Sequence, residues 1–469
     1  MKRTLLIAAL VALSQPAIPA QQGIAVAPAP AAVVDDIFSK WSSTTPGCAV
    51  GVAVDGKPVL LRAYGMADLE RDVRNTPDTI FEAGSVAKQF TAMAVQLLAD
   101  EGKLSIDDPV RKYIPELPDY GKPLTIRHML SHTSGLRDWG SVESIAGWPR
   151  TTRQYTHAHV LEIASRQKAL NFDPGTKWSY SNTGFNLAAI IVSRVSGMSF
   201  AEFSNERMFT PLGMTHTSWR DDHTRIVKGR AMAYSLENGE YHVDMPFENV
   251  HGNGGLLTTV GDLLIWNENL VHPKVGNAKL VAEMSASGKF NDGKPVEHYG
   301  LGLFIELYRG VHNVYHSGST AGYRAHLSRF LDSRVSVAVL CNGSNGDATR
   351  AANRVSDVFL GDRLKPAPPE PPAAEPPPAL NPPPSSAQLE ALTGSFWSEE
   401  AETLLVAAVD QGSLVLRRRP DAVIKLTAIG ADKFRGSIGT VTFMRNASGA
   451  VDSLSVNQQR VWDLRFTKK

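Results

Sequence analysis

Ser85 and Lys88 stand three residues apart in Ser85-Val86-Ala87-Lys88, directly after Phe81-Glu82-Ala83-Gly84. From Ser85 to Asp100 the apolar spacing turns helical, with Phe90, Met93, Ala94, Leu97 and Leu98 on one side and Gly102 placed to end the helix. The pattern therefore sets Ser85 at a helix N-terminus and Lys88 one turn on, on the same face. There the helix dipole favours negative charge on the serine oxygen, and an amine within reach can take its proton once it has lost its own. A free lysine titrates near 10.4, so service as a base near neutrality needs a fall of about three units, about 4 kcal/mol against the cation, which burial can supply. The four-residue pattern alone is common by chance, and serine is also an ordinary helix N-cap, so its context decides.

Two further clusters supply that context. Pro174-Gly-Thr-Lys-Trp-Ser-Tyr180-Ser181-Asn182 puts a phenol and an amide two residues apart, on what reads as a turn just before a helix. His316-Ser317-Gly318-Ser319 is expected at the end of a β run, with Gly318 letting a substrate backbone lie against the strand. His128 and His132 are four apart, but Met129 stands where a zinc-peptidase helix needs Glu, so His132 reads as a structural turn residue and no metal site is expected.

Taken together, Ser85/Lys88, Tyr180/Asn182 and His316–Ser319 resemble, in order and separation, the three elements of the penicillin-recognising serine hydrolases, where S-x-x-K is found. The chain looks like the class C β-lactamase family in its wide sense, which includes D-alanyl-D-alanine carboxypeptidases, D-aminopeptidases and carboxylesterases. Leu130-Ser-His-Thr-Ser-Gly-Leu136, Pro211-Leu-Gly-Met214, Asn253-Gly-Gly-Leu256 and Tyr299-Gly-Leu-Gly302 are similar to its connecting motifs, and the likeness runs from about Val34 to Gly361.

The resemblance implies a catalytic set of Ser85, Lys88, Tyr180 and His316. Ser85 would be the acylated nucleophile, Lys88 its proton acceptor or relay, and Tyr180 the group serving the leaving group and the deacylating water. It implies backbone N–H groups of Ser85 and Ser319 as the oxyanion hole, and Asn182 and Gly318 as substrate-binding residues. Many β-lactamases of this kind carry Lys where this chain has His316, and a neutral histidine there implies weak or absent β-lactamase activity. The reading is a serine hydrolase cleaving peptide or amide bonds of D-amino-acid or peptidoglycan-like substrates through a Ser85 acyl-enzyme. A short-chain carboxylesterase with weak β-lactamase activity, and a peptidoglycan or peptide binder without turnover, are the alternatives.

The elements that must hold these residues follow from the rest of the chain. Cys48-Ala-Val-Gly-Val-Ala-Val, then Asp55-Gly56 and Pro58-Val-Leu-Leu, reads as a β-hairpin. Helices are expected at Ile126 to Ser131, Phe185 to Val195 and Asp262 to Leu270. Strands return at Tyr299 to Leu307, His312 to Ser317, Tyr323 to Phe330 and Val335 to Cys341. Strands at both ends with helices between predict an α+β fold, an antiparallel sheet with flanking helices and a helical subdomain, the site lying at the junction. If the Val335 strand pairs antiparallel with the Ala49 strand, Cys48 and Cys341 come close. They are read as buried thiols in neighbouring strands, with a bridge as the alternative.

Five segments result: a signal peptide at 1–20, a flexible leader at 21–33, the hydrolase domain at 34–364, a Pro-rich linker at 365–386, and a small all-β, lipocalin-like antiparallel barrel at 387–469. The 137–150 segment, with Trp139 and Trp148, is expected to wall the cleft, Arg417-Arg418-Arg419 to face solvent, and the barrel is a candidate cover for the cleft. Lys2, Arg3 and the apolar run from Leu5 to Leu13 predict export, secreted or periplasmic, with cleavage near Ala20. A net charge of +1 over 469 residues offers no field for nucleic acid. The expected partner is a small peptide or ester substrate, with no cofactor and no stable membrane insertion; the oligomeric state is left open.

Overall fold

The computed structural model describes residues 30–150, 152–367 and 378–469. The signal-peptide and export readings, and most of the proline-dense stretch, lie outside them. A helix at Pro30–Ile37 takes in residues 30–33, which the sequence assigned to the leader.

Six antiparallel strands form the central sheet: β1 (Cys48–Val54), β2 (Lys57–Tyr64), β3 (Phe304–Tyr308), β4 (Val311–Thr320), β5 (Tyr323–Phe330) and β6 (Val335–Cys341). Their order is β3-β4-β5-β6-β1-β2, so the N-terminal hairpin closes onto the last strand of the C-terminal set. β1 and β6 read as continuous apolar runs because both faces of the sheet are covered. Val50, Val52, Val337 and Val339 pack toward the terminal helices Pro30–Ile37 and Ala348–Leu360, while Ala49, Ala53, Ala338 and Leu340 join the core of the helical region. The β1/β6 register pairs Cys48 with Cys341, and the two form a disulfide, the alternative to the expected thiols.

Three local departures matter for the site. The long helix Lys88–Asp100 is entered through a 3₁₀ turn at Gly84–Ala87, so Ser85 belongs to the tighter turn. Asn182 is the first residue of the helix Asn182–Ser196, not part of a preceding turn. β4 runs on to Thr320, so His316–Ser319 lies inside a strand; β3 begins only at Phe304, which leaves Tyr299 in a loop.

Beyond the linker, nine antiparallel strands from Gly394–Ser398 to Val461–Lys468 make one sheet. Its two edge strands, Ala422–Lys425 and Thr427–Ala428, are separated only by Leu426, so the sheet curls into a nearly closed barrel. The barrel packs on the helix Trp139–Ala146, whose Trp139, Val142 and Ile145 join its apolar core. Arg417 and Arg419 are exposed, as expected, and Arg418 is half-buried, but two of the three also hold the helix. Arg418 donates to the carbonyl of Ile145 at 3.1 Å and Arg419 to that of Ala146 at 3.1 Å, satisfying orphan carbonyls at the helix C-terminus. Among the described residues no single helix is long and apolar enough to cross a membrane.

Candidate active site

Burial makes Lys88 unusual. Its side chain is inaccessible to solvent, and its Nζ lies 2.7 Å from the carbonyl of Asn253, 2.8 Å from Asn182 Oδ1 and 3.0 Å from Ser85 Oγ. Desolvation, then the positive charge of Arg460, holds its pKa well below the usual lysine range, against the opposing pull of Asp138. A neutral amine has two N–H bonds and one lone pair. The Asn253 carbonyl and the Asn182 amide oxygen can only accept, so they take both hydrogens and turn the lone pair toward the Ser85 hydroxyl.

Asn182 cannot present its nitrogen instead, because Asp138 Oδ2 accepts from both its backbone N–H and its Nδ2, each at 2.8 Å. Asp138 also caps the helix Trp139–Ala146 by accepting from Ser141. Its carboxylate thus sets the amide that sets the lysine.

The Tyr180 hydroxyl also reaches Ser85, and its ring lies 4.8 Å from Lys88 Nζ. Burial pushes the phenol up, while the bond to Ser85 and the charges of Arg460 and Arg150 pull the other way; the net shift is upward, so the phenol keeps its proton at neutral pH. The buried His132 ring packs against Tyr180 at 4.2 Å between centroids and accepts from the N–H of Ser181 through Nδ1 at 3.2 Å. Beyond the turn role expected of it, His132 supports the phenol.

His316 lies on β4, buried. Its Nδ1 donates to the Ser317 carbonyl at 2.6 Å and its Nε2 accepts from Tyr299 Oη at 3.2 Å. Desolvation, then the nearby lysine, lowers its pKa to about 3, so the ring is neutral.

Next to it, β4 passes so close to the Ser85 turn that a Cβ on Gly318 would sit 2.0 Å from the Ala83 carbonyl oxygen. This backbone approach demands a glycine at 318, whatever else the residue does in the cleft that it lines. Gly84, at φ +50°, meets the strand from the other side, where a Cβ would fall 2.7 Å from the Ser319 nitrogen. These contacts bring the Ser85 and Ser319 nitrogens to one place. As an early residue of a turn with no side-chain cap, Ser85 has an N–H without an intrahelical acceptor. β3 pairs with β4 only as far as Tyr315, so Ser317–Thr320 has a free edge on that side.

The cleft beside these groups has a volume of about 790 Å³, and Ser85, Tyr180, Asn182, His316, Gly318 and Ser319 line it. All seven residues singled out from the sequence therefore come together, with Lys88 just behind the wall. From the 137–150 segment only Arg150 reaches the cleft; Trp139 is buried behind it, donating to Asn186, and Trp148 stacks with Arg419. Sequence reasoning passed over Asp138, which reads locally as a helix cap, and Tyr299 and Asn253, which it quoted only within motifs. It also passed over Arg460, a barrel turn residue whose guanidinium lies 4.6 Å from the Tyr180 ring centre.

The Beta-lactamase family matches residues 30–360. D-aminopeptidase of Gluconobacter oxydans is 28% identical over 325 residues, 68% of this chain and 60% of that protein. D-aminopeptidase of Brucella ovis is 29% identical over 327 residues, 69% and 61% respectively. The chain thus spans about three-fifths of the length of these curated relatives. Among solved structures, the octameric penicillin-binding protein homologue from Pyrococcus abyssi superposes with a TM-score of 0.63 at 24% identity, covering 94% of this chain and 99% of that one. D-amino acid amidase from Ochrobactrum anthropi SV3 gives 0.61 at 21% identity, covering 71% and 99%. These structural likenesses show the fold, and the family match spans well over half the chain: the chain belongs to the beta-lactamase family.

Proposed function

We propose that this chain is a serine hydrolase that cleaves amide bonds of D-amino-acid or peptidoglycan-like peptides through an ester on Ser85. The observation that carries the reading is Lys88, buried with its pKa held well below the usual lysine range and its Nζ 3.0 Å from Ser85 Oγ. The names of the relatives, D-aminopeptidase and D-amino acid amidase, support an amide substrate with a D-residue.

In this reading Ser85 Oγ attacks the amide carbonyl as its proton passes to Lys88. The resulting oxyanion accepts from the N–H groups of Ser85 and Ser319. The C–N bond then breaks, and the departing nitrogen takes a proton from Tyr180, which recovers one from Lys88. Water repeats the sequence on the ester, giving the free acid and restoring Ser85. A phenol pushed up and a lysine pushed down support Lys88 as the acylation base and Tyr180 as the proton donor. The Asn182 side chain keeps one N–H for a substrate carbonyl after serving Asp138. Neutral His316 offers no cation on β4, which supports low turnover of β-lactams. Export to a periplasm or beyond the cell belongs to the same proposal, supported by the N-terminal sequence and by the Cys48–Cys341 disulfide.

The test exposes the purified protein and Ser85→Ala to a fluorophosphonate and to a labelled penicillin, and reads covalent mass by intact mass spectrometry. Labelling of the parent alone is expected, with a penicillin adduct that outlasts the assay. No labelling of the parent would sink the catalytic reading in favour of a binder.

A further inference from the structure

The cleft is unevenly charged. Arg150, Arg324 and Arg460 line it against a single acid, Asp347, which is engaged in capping the helix Ala348–Leu360. Two of the arginines are already answered. Arg150 is paired with buried Glu248, and Arg324 donates to the carbonyls of Ala321 and Tyr323 at 2.7 Å each. Arg460 has no acidic partner among the described residues, and its guanidinium rests on the face of Tyr180.

Its position is built. Arg460 occupies the turn between the last two barrel strands, Val451–Gln458 and Val461–Lys468. The N–H of Asp138, at 3.3 Å, and Nδ2 of Asn171, at 3.1 Å, both donate to its carbonyl. Asn171 returns a second bond by accepting from the N–H of Trp462 at 2.8 Å. Arg137, buried, donates to the Trp462 carbonyl at 2.9 Å and pairs with Glu400. The residue that orients Asn182 thus also holds the turn that carries Arg460.

An unanswered guanidinium in a cleft is a site for an anion, and its place beside the phenol identifies which part of the substrate that anion belongs to. Tyr180 serves the departing nitrogen, and in an amino acid the carboxylate carbon lies roughly 2.5 Å from that nitrogen. β4 offers no rival, because His316 is neutral and both its ring nitrogens are engaged. We propose that Arg460, carried into the cleft by the terminal barrel, binds a carboxylate on the leaving group, so that the preferred substrates release an amino acid with a free carboxylate next to the scissile amide. This rests on the Ser85 acyl-enzyme reading and adds to it the charge of the leaving group.

The experiment compares kcat/KM of the full chain on N-acetyl-D-alanyl-D-alanine and on its C-terminal amide, with D-alanine p-nitroanilide as an uncharged-leaving-group control. The free acid should be preferred by about 10- to 100-fold, the usual worth of one charged hydrogen-bonded pair. In Arg460→Gln that ratio should collapse toward one, and Arg460→Lys, which keeps the charge without the fork, should retain part of it. An unchanged Tm in either variant shows that the loss is one of recognition, and if Arg460→Gln does not fold the ratio in Arg460→Lys decides. Equal kcat/KM for acid and amide in the parent, or a ratio untouched by Arg460→Gln, overturns the proposal. So does Ser85-dependent cleavage of the anilide alone, which leaves the acyl-enzyme reading standing. Absence of any fluorophosphonate adduct on Ser85 removes both.

Discussion

The carboxylate of Asp138 accepts from the backbone N–H and the side-chain nitrogen of Asn182, each at 2.8 Å, and through that pair it reaches the chemistry. With its nitrogen committed, the Asn182 amide shows its oxygen to Lys88. Asp138→Ala should therefore act on two readouts. Loss of the helix cap and of two charge-assisted bonds should lower stability by about 1 to 3 kcal/mol. Turnover should fall more than binding, because Lys88 would lose its fixed orientation. A drop in Tm with kcat unchanged would reduce Asp138 to a structural cap.

The depressed lysine sets the acid limb of the rate. Acylation needs Lys88 without its proton, so activity rises with pH through the Lys88 pKa, which desolvation holds well below the ordinary value of 10.5. Tyr180 must keep its proton, and burial holds its pKa above the ordinary 10.0. The profile of kcat/KM should accordingly reach its plateau well below the pH at which an ordinary lysine loses its proton, and fall on the acid side of that plateau. Lys88→Met should remove the limb together with about 10²- to 10⁴-fold of the rate. A rate still climbing toward pH 10 would mean that Lys88 is an ordinary cation.

Gly318→Ala probes the approach of β4 to the Ser85 turn. The new methyl would collide with the Ala83 carbonyl oxygen at 2.0 Å, a contact with backbone that no rotamer relieves. The strand must move, and the Ser319 N–H moves with it. Loss of about 10²- to 10³-fold in kcat is expected, the usual consequence of losing one oxyanion donor. Wild-type kcat in this variant would show that the Ser319 N–H is not part of the hole.

Removing the disulfide tests the closure of the sheet. The bond joins residues 293 apart, tying the N-terminal hairpin to the last strand of the C-terminal set. Cys48→Ser combined with Cys341→Ser should lower stability by about 2 to 5 kcal/mol, seen in urea unfolding. Site geometry, set by other contacts, should keep kcat near the parent value. A variant as stable as the parent would mean that the β1/β6 pairing alone closes the sheet.

Much of this site was legible without coordinates because its central pieces are local. Ser85 and Lys88 are one turn apart, Tyr180 and Asn182 two residues apart, and His316 through Ser319 a single strand segment, so each cluster carries its own spacing. The apolar runs of β1 and β6 likewise announced a sheet built from both ends of the domain. Tertiary structure alone decided the rest. Asp138 reads locally as a helix cap, Arg418 and Arg419 as surface charge and Arg460 as a turn residue, and each local reading is sound as far as it goes. Their further roles come from partners in another domain or far along the chain, and such partners leave no period or motif in the sequence. The charge state of Lys88 belongs with them, because desolvation depends on everything packed around the amine.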